Sequence, residues 1–137
     1  MRSAALIYNP TAGAQRHEQL LGSVLDALRS GGFDVEPVPT GAPGDATRLA
    51  RERAGKTDAV IAFGGDGTVR EVAAGLLGTE TALGIVPGGT VNVLAMSLGL
   101  PRDPLEAAKL LGRLEIQKLD VGLTNEAPFL MMVSAGL

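Results

Sequence analysis

An α/β fold of three layers, with a mostly parallel sheet between two layers of helices, is predicted by three features of this sequence. Short apolar runs alternate with segments of helical periodicity along most of the chain. Two glycine-rich turns fall where an apolar run passes into a helix. Finally, 137 residues with 45% hydrophobic content suffice to bury one core and fit one ordinary domain. Alternation of this kind sets the strands parallel, and ligands of such sheets bind beyond the carboxyl ends of the strands.

Residues 3–8 (SAALIY) form an apolar run ended by Asn9-Pro10, a buried strand passing into a turn. Over residues 17–30, Leu20, Leu21, Val24, Leu25 and Leu28 recur at helical spacing, and Gly31-Gly32 supplies the stop. Residues 33–38 read as a second strand, 39–44 as a turn cluster, and 45–54 as a helix with Leu49 and Ala50 inward. A third strand, 58–63, runs into Gly64-Gly65-Asp66-Gly67, after which Val69, Val72, Ala73, Leu76 and Leu77 mark a helical face. The arrangement then repeats, with a strand at 82–86, the turn Pro87-Gly88-Gly89-Thr90, and a helical face of Val91, Leu94, Ala95 and Leu98. Asp103-Pro104-Leu105-Glu106 combines an N-cap, a proline at the first helical position and a capping-box glutamate, so a further helix starts there and ends near Gly112. After it the pattern changes: 115–124 and 128–135 read as two consecutive strands joined by Asn125-Glu126-Ala127. No repeat of fixed period and no long linker divides the chain.

Composition narrows the function. A net charge of -3, from 12 basic and 15 acidic residues without a basic run, argues against nucleic acid as a partner. The absence of cysteine removes disulfides, thiolate-metal sites and cysteine nucleophiles, and leaves the cytoplasm as the default location. No apolar stretch approaches the roughly 20 residues needed to span a bilayer, and the first nine are too short for a signal peptide. Nineteen glycines, against three phenylalanines, one tyrosine and no tryptophan, point to tight turns and close backbone approach.

The turn Gly64-Gly65-Asp66-Gly67-Thr68 offers consecutive backbone N–H groups beside a helix N-terminus with its partial positive charge, which suits a phosphate. A carboxylate there would repel bare phosphate, so Asp66 is better placed to hold or orient Mg2+ bridging to phosphate. The structural alternative is that Asp66 caps a helix and the glycines merely turn the chain. Thr68 and Glu71 are read two ways as well: Thr-x-x-Glu before a helical face is itself a capping box, while a threonine hydroxyl is a common phosphate donor. Gly55-Lys56-Thr57 looks like the end of a P-loop, but the position five before Gly55 is Ala50 and the segment precedes a strand. Gly65-x-Gly67-x-x-Arg70 lacks the third glycine of a dinucleotide fingerprint. The lone His17 reads as a solvated residue at a helix start.

Asn9-Pro10-Thr11-Ala12-Gly13, then Gly64 to Thr68 with Glu71, then Pro87-Gly88-Gly89-Thr90-x-Asn92, in this order and spacing, resemble the catalytic domain of the diacylglycerol kinase family. The resemblance covers essentially the whole chain. It implies the N-terminal α/β domain of the NAD kinase/diacylglycerol kinase-like kind, which binds ATP with Mg2+. A β-rich second domain would follow, with a lipid alcohol phosphorylated in the cleft between them at a membrane surface. Carried over, the nucleotide site comprises Asn9, Pro10, Thr11, Ala12, Gly13, Thr40, Gly65, Asp66, Gly67, Thr68, Val69, Arg70, Glu71 and Thr90. Asp66 would serve catalysis through the metal and phosphates. One departure is Asn92-Val93, where many members have Asn-Asp.

On this reading residues 1–124 are the nucleotide-binding domain and 125–137 the start of the β-rich domain. The family's acidic general base would lie beyond Leu137, so the isolated chain is expected to transfer no phosphate. An unpaired apolar edge near its end would favour a homodimer. Two other readings stay open: an NAD kinase, which shares the GGDGT turn but not the Pro-Gly-Gly-Thr-x-Asn turn, and a stand-alone nucleotide-binding module without transferase activity.

Overall fold

The computed structural model describes residues 2–10, 14–88, 101 and 103–113, the side chains of 14–17, 112 and 113 excepted. Four strands and four helices are found there, in the order β1 (Arg2–Tyr8), α1 (Ala14–Ser30), β2 (Phe33–Pro39), α2 (Asp45–Arg53), β3 (Ala59–Gly64), α3 (Asp66–Leu76), β4 (Ala82–Pro87) and α4 (Pro104–Arg113). The helix expected around Val91 to Leu98 and the two strands expected after residue 114 lie outside the described residues, as does the edge expected to pair two copies.

All strand pairs are parallel and the sheet order is β2-β1-β3-β4. The chain leaves β1 for β2 on one side, then returns past β1 to β3 and on to β4. Right-handed crossovers therefore put α1 on one face and α2 and α3 on the other. The helix contacts agree: α2 packs on α3, and α1 packs on α4, giving α/β/α layers.

The strands follow from burial. Ala4 to Ile7 of β1, Ala59 to Phe63 of β3 and all of β4 are covered on both faces, which a parallel sheet between helices requires and their apolar runs supply. β2 lies at an edge and alternates instead, exposing Asp34, Glu36, Pro37 and Pro39. Two prolines and two acids make that edge a poor template for another strand. The amino edges of the inner strands are stitched together by Asp58. Its Oδ2 accepts from the Ser3 N–H at 2.8 Å, and its own N–H donates to Ser3 Oγ at 3.0 Å.

The helix faces follow the sequence reading except at one point. In α2, Ala50 is buried and Leu49 packs partly buried against the core, as expected, and Ala46 is buried with them. The small residues are needed because α3 comes very close: a Cβ on Gly75 would meet the Thr47 carbonyl and lie 2.8 Å from the Ala50 Cβ. Leu77 was expected on the buried face of α3 but is 54% exposed, because the helix stops at Leu76 and Leu77 turns out as its C-cap with ψ 129°. The α4 start matches its signals, with Asp103 Oδ2 accepting from the Glu106 N–H at 3.2 Å.

Candidate functional site

The carboxyl edge of the sheet is level. Tyr8 stands in register with Pro39 on one side and Phe63 on the other, and Gly64 with Pro87. Since the connections diverge at β1, the crevice above the ends of β1 and β3 is the topological switch point, where open α/β sheets take their ligands.

Four segments meet this edge. Asn9 and Pro10 follow β1 and are exposed, and Gly64 to Thr68 join β3 to α3. Gly88 follows β4 and donates its N–H to the Gly64 carbonyl at 3.0 Å, so the two glycine turns are held together. Residues 40–44 leave the carboxyl end of β2 and lead to α2. Thr40, half-buried, donates its N–H to the Tyr8 carbonyl at 2.9 Å. Asn9, Pro10, Thr40 and the GGDGT turn thus belong to one edge, whereas Gly55-Lys56-Thr57 precedes β3 at the opposite edge. Thr11, Ala12, Gly13, Thr90 and Asn92 lie outside the described residues, as does the His17 side chain.

Helix α3 has Gly65 as its N-cap, with φ -88° and ψ -168°, and Asp66 as its first helical residue. Asp66 is therefore not the N-cap, and the first turn of the helix, the positive end of its dipole, starts directly from the end of β3. Neither Gly65 nor Gly67 has left-handed backbone: among the described residues, positive-φ glycines are Gly32, Gly44, Gly55 and Gly78. Gly67 is exposed, and a Cβ there would meet nothing within 4 Å. Gly64 is different, since a Cβ would lie 2.9 Å from Thr68 Oγ1. Its lack of a side chain lets the half-buried Thr68 pack back on the strand end.

The rest of the GGDGT-x-x-E segment divides by face. Val69 is 1% exposed and donates its N–H to the Gly65 carbonyl at 3.2 Å, so its side chain belongs to the core. Arg70 is exposed on the outer face of α3. The capping box suggested by Thr68 and Glu71 does not form, because the helix begins two residues before Thr68. Instead Glu71 Oε1 accepts from the Gly44 N–H at 3.0 Å, and Thr47 Oγ1 donates to the Glu71 carbonyl at 2.8 Å.

Sequence reasoning missed the part Asp45 takes here. Its Oδ2 accepts from the N–H groups of Gly41 at 2.7 Å and Ala42 at 3.0 Å. The Gly41 bond, foremost, holds the Asp45 carboxyl below the ordinary aspartate value, with Arg48 adding to the effect against some loss of hydration. Gly44, at φ 90°, turns the chain so that its own N–H reaches Glu71. The only sequence signal was an acid directly after a Gly-Ala-Pro-Gly turn.

The described residues thus form a parallel α/β sheet with a glycine-lined helix N-terminus at its switch point, the edge at which open α/β sheets take their ligands. Comparison with known proteins makes the assignment specific: the family model described as the diacylglycerol kinase catalytic domain matches residues 3–124, and the chain belongs to that family. A diacylglycerol kinase of Bacillus subtilis (strain 168) is 38% identical over 140 residues, covering 99% of this chain and 46% of its own length. One of Staphylococcus saprophyticus is 36% identical over 138 residues, covering 98% and 45%. A crystal structure of a putative diacylglycerol kinase from Bacillus anthracis str. Sterne superposes with a TM-score of 0.77 at 38% identity, covering 86% of this chain and 43% of that one. The chain spans less than half the length of these relatives. Among the described residues, no helix is long and apolar enough to cross a membrane.

Proposed function

We propose that this chain is the ATP-binding part of a lipid kinase that transfers the γ-phosphate of ATP to a lipid hydroxyl such as that of diacylglycerol. The observation that carries the reading is the placement of Gly65-Asp66-Gly67-Thr68 at the N-terminus of α3 above the β1/β3 switch point, in a chain of the diacylglycerol kinase family. The triphosphate would lie against the first turn of α3 and the loops after β1 and β4, with Thr40 and Asn9 at its flank. Residues 1–124 would constitute the nucleotide-binding domain and 125–137 the passage into a second, β-rich domain. The lipid would meet ATP between the two, through peripheral contact with the membrane surface.

The residues present suit Mg2+ held jointly with a substrate. Among the described residues no group of three or more His, Asp or Glu could hold a metal alone. Mg2+ commonly takes only one or two carboxylates and completes its shell with phosphate oxygens and water. Asp66, half-buried at the start of α3, is the carboxylate of the turn and would hold it. The ion would neutralise charge on the phosphates. In the reaction the lipid hydroxyl oxygen forms the new bond to the γ-phosphorus, the bond to the bridging oxygen breaks, and ADP leaves. The hydroxyl proton passes to a base supplied from the second domain.

The test is phosphatidic acid formation by the full-length polypeptide from MgATP and dioleoylglycerol in mixed micelles. ATP binding without transfer to any lipid alcohol would favour a nucleotide-binding module, and phosphorylation of NAD would favour the NAD kinase reading.

A further inference from the structure

The segment 40–44 is tied down along its whole length although it carries no regular structure. At one end the Thr40 N–H is held by the Tyr8 carbonyl of β1. In the middle Asp45 holds the N–H groups of Gly41 and Ala42. At the far end Glu71, from the second turn of α3, holds that of Gly44. Thr47 binds the Glu71 backbone from α2, and a Cβ at Gly75 would strike α2, so the two helices cannot slide apart without breaking these bonds. The segment thus forms a fixed rim at the carboxyl edge, continuing the β1–β2 ladder at Thr40 and tied to α3 at Gly44.

We infer that Glu71 is a positioning residue of the nucleotide site: by holding Gly44 it fixes this rim, and with it Thr40, against the ligand bound at the start of α3. The inference rests on the ATP-binding reading above. Direct ligation of phosphate or metal by Glu71 is a different role, and the glutamine variant below separates the two. A hydrogen bond to a carboxylate is worth enough that its loss changes a linked equilibrium by about tenfold.

The experiment compares Glu71→Ala and Glu71→Gln with the parent in the full-length protein. It measures MgATP affinity by calorimetry, KM and kcat for lipid phosphorylation, and amide exchange of Gly41, Ala42 and Gly44. Glu71→Ala should raise Kd and KM for ATP about tenfold with kcat nearly kept, and should speed exchange in the rim. Glu71→Gln retains an acceptor oxygen and should restore all three. A fall in kcat that glutamine does not rescue would assign the charge to the reaction centre and overturn the inference. So would an alanine variant with parental ATP affinity. If the parent protein binds no ATP, the kinase reading itself fails, an outcome separate from either variant result.

Discussion

Gly88 donates its N–H to the Gly64 carbonyl at 3.0 Å, and a Cβ on Gly88 would lie 2.7 Å from the Gly64 Cα. Gly88 and Gly64 therefore touch backbone to backbone, which fixes the end of β4 against the end of β3. Backbone cannot give way as a flexible side chain can. Gly88→Ala should thus cost stability, by about 1–3 kcal/mol as for other overpacked sites, and lower the denaturation midpoint. An unchanged midpoint would show that the turns separate freely.

Gly67 makes the opposite case. It sits in the first turn of α3, where an added Cβ would meet nothing and where φ is not left-handed. Within the fold alone, alanine is the better helix former there by up to about 1 kcal/mol. Gly67→Ala should fold as well as the parent or better, yet bind MgATP at least several-fold more weakly if phosphate approaches this backbone. Equal affinity in calorimetry would remove Gly67 from the proposed phosphate contacts.

The Asp45 carboxyl governs the pH response of the crevice rim. Its folded-state pKa is depressed below the ordinary 3.8, chiefly by the Gly41 N–H. The ionised form is thus favoured by folding, and its contribution is present above the ordinary value and lost as pH falls through the depressed one. The amide shifts of Gly41 and Ala42 should accordingly titrate together with a midpoint below 3.8, and Asp45→Asn should abolish that step. A midpoint above 3.8 would contradict the assignment.

The sheet and its carboxyl-edge turns were legible in sequence because their signals are local. Apolar runs of five or six residues end in Asn9-Pro10, in Gly64-Gly65 and in Pro87-Gly88, and each becomes a parallel strand with its turn at one edge. What sequence could not show are contacts between residues distant in the chain. Ala46 and Ala50 of α2 lie buried where Gly75 brings α3 close. Glu71, for which capping was one of two readings, bonds Gly44, 27 residues away. Glycine has several uses, and spacing could not separate them: Gly88 serves contact with Gly64, Gly44 serves left-handed backbone, and Gly67 serves neither.

Asp66 is the strictest test of the proposed chemistry. It is the first residue of α3, after an N-cap that is glycine, so the fold does not depend on it as an N-cap side chain. An acid in the first turn still favours the helix dipole, a contribution of about 0.3–1 kcal/mol. Asparagine keeps the shape and one acceptor oxygen but removes the charge. If Asp66 holds Mg2+ on the phosphates, Asp66→Asn in the full-length protein should lose on the order of a hundredfold or more in the rate of lipid phosphorylation. The loss in rate should far exceed what any fall in the denaturation midpoint explains. The deficit should appear in kcat, and raising Mg2+ should recover part of it, because a weakened site fills at higher metal concentration. Near-parental phosphorylation would exclude the metal role, and a loss of activity matched by a large loss of stability would assign Asp66 to the fold.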